Sequence, residues 1–200
     1  MRFNILGCQC SISLYFLAAL AAMLTIDRSG TASLALAAIG IHESGHIIAM
    51  YALGQRPKEI NLKLGALSIK KDASMSFGGE MAIMSAGVAC NILVAAICFF
   101  LLFCVSQSYS LLLLCLVNFA TALINIMPVR GLDGGTLLYL LTSHRFGNKA
   151  AEMVTFISSA AFIIIIVLPL AYYSVRNTFN PTMLCFALYL VVLMVIKSHK

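Results

Sequence analysis

Apolar residues run along the chain in long blocks separated by short polar stretches, and block length decides the fold class. A helix needs about 20 apolar residues to cross a hydrocarbon core about 30 Å thick. Phe3 to Ile26 carries no charge and is the first such block; Thr31 to Leu53 is the second. Met81 to Val105 and Tyr109 to Met127 are the third and fourth, joined by Ser106-Gln107-Ser108. Met153 to Val175, with Pro169 inside it, and Pro181 to Ile196 complete the series. Proline is tolerated in a membrane helix because neighbouring groups re-satisfy the freed backbone. The first block has Arg2 ahead of it, as a signal peptide would, but no small-residue cleavage site, so a retained helix is expected. The expected fold is an all-α polytopic membrane protein of about six transmembrane helices.

One sizeable polar insert interrupts this pattern, from Gly54 to Gly79. Ile60, Leu62 and Leu64 alternate there with Asn61, Lys63 and Gly65, and Leu67-Ser68-Ile69-Lys70 resumes the alternation after Gly65-Ala66. Period two predicts a short membrane-associated β-hairpin between the second and third helices. No internal repeat or low-complexity tract is visible.

Composition agrees and excludes the soluble classes. Hydrophobic residues make up 62% and charged residues 10%, against about 45–50% and about 25% in soluble domains. Mean hydropathy is +1.00. A soluble domain, a disordered chain and a nucleic-acid-binding module are all ruled out. The net charge of +6 reports orientation instead. With six spans, one side holds Arg2, Arg56, Lys58, Lys63, Lys70, Lys71, Arg130, Arg145, Lys149, Lys197 and Lys200, and the other only Arg28 and Arg176. The positive-inside rule then puts both termini in the cytoplasm. The second and fourth spans both run inward. Of the seven cysteines, Cys90, Cys98, Cys104 and Cys115 lie in apolar runs, and no CxxC occurs. Neither a disulfide framework nor a thiolate zinc site is indicated.

Chemistry is concentrated in the second span, Ile41-His42-Glu43-Ser44-Gly45-His46-Ile47. Histidines at i and i+4 share one helix face, so both imidazoles can reach one metal ion. Glu43 follows the first histidine and can serve a metal-activated water. This is the HExxH arrangement of zinc hydrolases. A polar patch packed inside the bundle is the bland reading. It is disfavoured because an ionisable group at the bilayer centre costs roughly 2.5 kcal/mol or more. Catalytic zinc takes three protein ligands. Asp133 is the candidate third, within Asn125-Ile126-Met127-Pro128-Val129-Arg130-Gly131-Leu132-Asp133-Gly134-Gly135. Proline and glycines break the helix there, and broken helix at membrane depth is tolerated where it lines a cavity.

Together, His42-Glu43-Ser44-Gly45-His46 and Asn125-x-x-Pro128-x-x-x-Leu132-Asp133-Gly134-Gly135 resemble the site-2 protease family of intramembrane zinc metalloproteases. The resemblance is good from Ser33 to about Leu141. It implies a single protease domain over residues 1–200, with a core at 31–142 and accessory helices in 1–30 and 143–200. It implies that His42, His46 and Asp133 hold one zinc ion per chain, that Glu43 is the catalytic base, and that Asn125 positions substrate or stabilises the tetrahedral intermediate. Gly87-Val88-Ala89-Cys90-Asn91 matches a Gly-Pro-x-x-Asn element with valine at the proline position, which makes Gly87 and Asn91 cleft-lining or structural candidates. The implied substrate is a membrane-spanning or membrane-tethered protein, cut near the cytoplasmic face. The implied location is a cytoplasmic membrane, as in the compact six-span bacterial and archaeal members. Competing readings are a transporter that uses the same intramembrane charges and a catalytically silent homologue that binds membrane proteins.

Overall fold

A computed structural model describes residues 2–5, 8–12, 21, 24–25, 27, 29–55, 59–63, 66–70, 75–105 and 108–175. The described helices are α1 (Thr31–Ala52), α2 (Phe77–Cys104), α3 (Tyr109–Ile126), α4 (Asp133–Phe146) and α5 (Asn148–Val175). Four helical segments are long and apolar enough to cross a membrane: α1, α2, α3 and Asn148–Pro169 of α5. They coincide with the second to fifth apolar blocks. The sixth, Pro181–Ile196, lies outside the described residues.

The first block differs from expectation. Arg2–Ile5 and Cys8–Ile12 are strands, β1 and β2, so no helix begins at Phe3. Later in the block the described residues Ala21, Leu24 and Thr25 are helical. Polar Asn4, Gln9 and Ser11 alternate with Phe3, Ile5, Cys8, Cys10 and Ile12, the period of a strand, and Gly7 separates the two. In the polar insert, Glu59–Lys63 (β3) pairs antiparallel with Ala66–Lys70 (β4), with Ile60 opposite Ile69. The four strands form one sheet in chain order, and β2 and β3 pair in parallel. A parallel pair needs a long crossover, and α1 lies within it.

The chain divides into two compact units, Met1–Ile124 and Asn125–Lys200. In the first, α1 packs along α2. The buried face of α1 carries Ala38, His42, Gly45, His46 and Met50; that of α2 carries Gly79, Ile83, Gly87, Asn91 and Ala95. Both are stripes at helical spacing, built largely from small residues. Large apolar residues such as Ile48, Leu93, Phe100 and Phe103 point outward. Membrane helices follow this logic. Lipid tails are as apolar as leucine, so helix association rests on close backbone approach and hydrogen bonds. In the second unit, α4 packs along α5. With 14 residues, α4 is too short to span, and it forms from the apolar stretch after Asp133.

Candidate metal centre and active site

His42 and His46 are 4% and 6% exposed, on the face of α1 that meets α2. His42 lies ten residues before Ala52, or about 15 Å along the axis at 1.5 Å per residue, which is mid-span in depth. His46 Nδ1 is 2.7 Å from the Ile83 carbonyl of α2. A carbonyl can only accept, so this contact puts the proton on Nδ1 and leaves Nε2 with its lone pair. Such a partner on the far nitrogen is how metal-binding histidines are oriented. Nε2 of His46 lies 3.2 Å from Nε2 of His42, with the rings nearly perpendicular at 86°. Two nitrogens held tetrahedrally at about 2.0–2.1 Å from zinc would be about 3.3–3.4 Å apart. The pair therefore already has the spacing of two ligands of one ion.

Small residues make this pairing possible. A Cβ on Gly87 would lie 2.5 Å from His46 Nε2 and 2.8 Å from His42 Cε1. A Cβ on Gly45 would meet the Ala86 carbonyl oxygen at 2.7 Å and Cys90 Sγ at 2.9 Å. Gly87 is thus the floor against which both imidazoles rest. Val88, at the position where the family element has proline, is buried. Asn91 is fully buried, and its Nδ2 donates to the Ala38 carbonyl at 3.3 Å, tying α2 to α1. Its Oδ1 has no hydrogen-bond partner among the described residues. Glu43 is half-buried, one residue beyond His42.

In the second unit, half-buried Asn125 lies in the last turn of α3, and half-buried Asp133 opens the first turn of α4. The connection between these helices folds back tightly on α4. Gly131 adopts φ 105°, a left-handed conformation open to glycine. A Cβ on Gly134 would lie 2.1 Å from the Ile126 carbonyl oxygen, and one on Gly135 would lie 2.1 Å from that of Val129. No side chain fits at either position, which explains Gly134-Gly135 after the aspartate. Outside the motifs, α5 contributes Ser158 and Ser159. Ser158 Oγ donates to the Pro128 carbonyl, and Ser159 Oγ accepts from the Arg130 N–H, each at 2.8 Å. Arg130 itself donates from Nη2 to the Glu152 carbonyl at 3.0 Å and lies over the Phe156 ring. Sequence reasoning missed Ile83, Ser158 and Ser159. The first acts through a backbone carbonyl, which every residue possesses. The serines read as ordinary small residues in an apolar helix.

Fold and residues define a polytopic membrane protein with a buried histidine pair of metal-ligand geometry. Its fold is shared with a site-2 protease from Methanocaldococcus jannaschii, at TM-score 0.69 and 19% sequence identity over 95% of this chain and 91% of that chain. No protein-family model and no curated protein matches.

Proposed function

We propose that the chain is an intramembrane zinc metalloprotease of the site-2 protease type. Its substrates are membrane-spanning or membrane-tethered proteins, cleaved near the cytoplasmic face of a cytoplasmic membrane. The chain then acts as one domain with its core at 31–142. The observation that carries this reading is the His42–His46 pair, with its nitrogens 3.2 Å apart and His46 oriented by Ile83. Asp133, at the start of α4, supplies the carboxylate that completes a His/His/Asp set. That set is the three-ligand donor chemistry of catalytic zinc.

Zinc in such a site supplies a water with a pKa near 7 and a Lewis acid for the scissile carbonyl. Glu43 accepts the proton of the attacking water and returns it to the leaving amine. Asn125 donates a hydrogen bond to the carbonyl oxygen as charge develops on it. Gly87 and Asn91 shape the site by holding α1 and α2 close, the nearest described counterpart of a cleft-lining role. A helical substrate must be locally unwound before attack, and β4 ends the sheet with an edge to which an extended segment can add. Proline substitutions along β4 that left cleavage unchanged would remove this last step while leaving the chemistry intact.

The test is metal content of the detergent-purified chain beside His46→Ala, Asp133→Ala and Glu43→Gln. The expected result is about one zinc in the wild type and in Glu43→Gln, much less in the other two. Cleavage of a membrane-tethered substrate should be lost in Glu43→Gln by at least the 10²–10⁴-fold typical of general acid–base catalysis. A metal-replete wild type without zinc would return the chain to the transport or binding readings. Near-normal turnover in Glu43→Gln would reassign the base.

A further inference from the structure

The α3–α4 connection pairs part of its backbone locally, the Val129 N–H donating to the Met127 carbonyl at 2.8 Å and the Leu132 N–H to the Val129 carbonyl at 3.1 Å, while the Pro128 carbonyl and the Arg130 N–H take partners outside it. Val129 is fully buried and Leu132 is 6% exposed, so part of the connection lies away from solvent. A buried peptide group left unpaired costs roughly 1–3 kcal/mol. Two adjacent hydroxyls of α5 meet that need. Ser158 Oγ donates to the Pro128 carbonyl. Ser159, fully buried, donates to the Thr155 carbonyl at 2.6 Å. With its single proton committed there, Ser159 Oγ presents only lone pairs to the Arg130 N–H. The connection is thus gripped at both a carbonyl and an N–H, on either side of Val129.

On its other face the same connection presses on α4. The Ile126 and Met127 carbonyl oxygens would lie 2.1 and 2.6 Å from a Cβ on Gly134, and the Val129 oxygen 2.1 Å from one on Gly135. Asp133 is the residue just before these glycines. A chain of contacts therefore runs from the α5 hydroxyls through the connection to the backbone that carries the Asp133 carboxylate. We infer that Ser158 and Ser159 are positioning residues for Asp133, so that zinc affinity is set in part from α5. The inference rests on the zinc reading above. Neither serine touches substrate or metal in this role. Each acts by keeping Asp133 from shifting with the connection.

Removing groups that orient metal ligands typically costs 10–100-fold in metal affinity, and that is the expected loss for Ser158→Ala/Ser159→Ala. The experiment uses the full-length chain in detergent. Zinc affinity is read by competition with a chromophoric chelator, and ligation by the visible spectrum of the cobalt(II)-substituted protein. Ser158→Ala and Ser159→Ala should each weaken zinc binding, and the double variant should shift the cobalt spectrum toward that of Asp133→Ala. Ser158→Thr, which keeps the hydroxyl, should restore most of the affinity lost in Ser158→Ala. Ser85→Ala is the control, because Ser85 is exposed and, among the described residues, bonds only to carbonyls of its own helix, Met81 and Ala82; it should bind zinc as the wild type does. Wild-type affinity in the alanine variants would overturn the inference, and so would Ser158→Thr no tighter than Ser158→Ala. If zinc binding is Asp133-dependent and the serine variants match wild type, only the positioning role falls. If the wild type binds no zinc at all, the zinc reading falls and takes this role with it.

Discussion

Gly87 shows how much a single absent side chain can decide. The imidazoles of His42 and His46 occupy the space where its Cβ would stand, 2.5 Å from His46 Nε2. In Gly87→Ala either the rings move or the helices part. Overpacking of this kind costs about 1–3 kcal/mol. The ring displacement should also weaken zinc binding by at least about tenfold, the lower end of the losses seen when ligand orientation is disturbed. Gly40→Ala is the matched comparison, since a Cβ there meets nothing within 4 Å. It should leave zinc binding unchanged and, by helix propensity, raise stability by up to about 1 kcal/mol. Chelator competition on both variants checks the pair; equal affinities would mean that the histidines have room the structure does not show.

Among the elements, α1 has an unusual start. Its N-cap is Gly30, which offers no side-chain cap. The missing acceptor comes from Asp27, whose carboxylate takes the Ala32 N–H at 2.6 Å and both the N–H and the hydroxyl of Ser29. A carboxylate at a helix N-terminus is also favoured by the helix dipole. The Ser29 hydroxyl first, and then the Ala32 N–H, hold the Asp27 carboxyl below its ordinary value of 3.8. A group with a depressed folded pKa contributes stability above its unfolded pKa and loses it as pH falls through the folded value. Wild type should therefore melt above Asp27→Asn at neutral pH, and the gap should close only as pH drops below about 3.8. A gap that is constant down to pH 2, or absent at pH 7, would deny Asp27 this capping role. The elements also show what was legible in the sequence. Four apolar blocks read correctly because a membrane helix needs length and little else. The first was placed too early because absence of charge was weighed above the alternation of Asn4, Gln9 and Ser11 with apolar neighbours. His42, Glu43 and His46 stood out by side-chain chemistry at fixed spacing and Asp133 by its place after a broken helix, and their metal and catalytic roles belong to the proposed function. Gly87 and Asn91 were marked by pattern alone, and their packing roles needed α2 set against α1. Ser158 and Ser159 were invisible because their partners are backbone atoms about 30 residues away.

For the whole molecule, the remaining question is which way it faces. The proposed function needs water at the zinc site and a cut near the cytoplasmic side. Both depend on α1 running inward, so that His46 lies about 9 Å, six residues at 1.5 Å each, from the cytoplasmic end of its helix. The charge pattern supports that direction. The insert after α1 carries Arg56, Lys58, Lys63, Lys70 and Lys71, whereas Ser106-Gln107-Ser108 between α2 and α3 carries no charge. Basic loops stay on the cytoplasmic side. In intact cells, and with the seven native cysteines replaced, Gln107→Cys should react with a membrane-impermeant maleimide from outside. Lys63→Cys should react only after the membrane is permeabilised. The reverse pattern would put the basic insert outside, against the positive-inside rule, and would move the site to the outer half of the membrane. A protease of that orientation would have to cut its substrates near the outer face, and the cytoplasmic cleavage proposed here would be wrong even if the zinc chemistry were right.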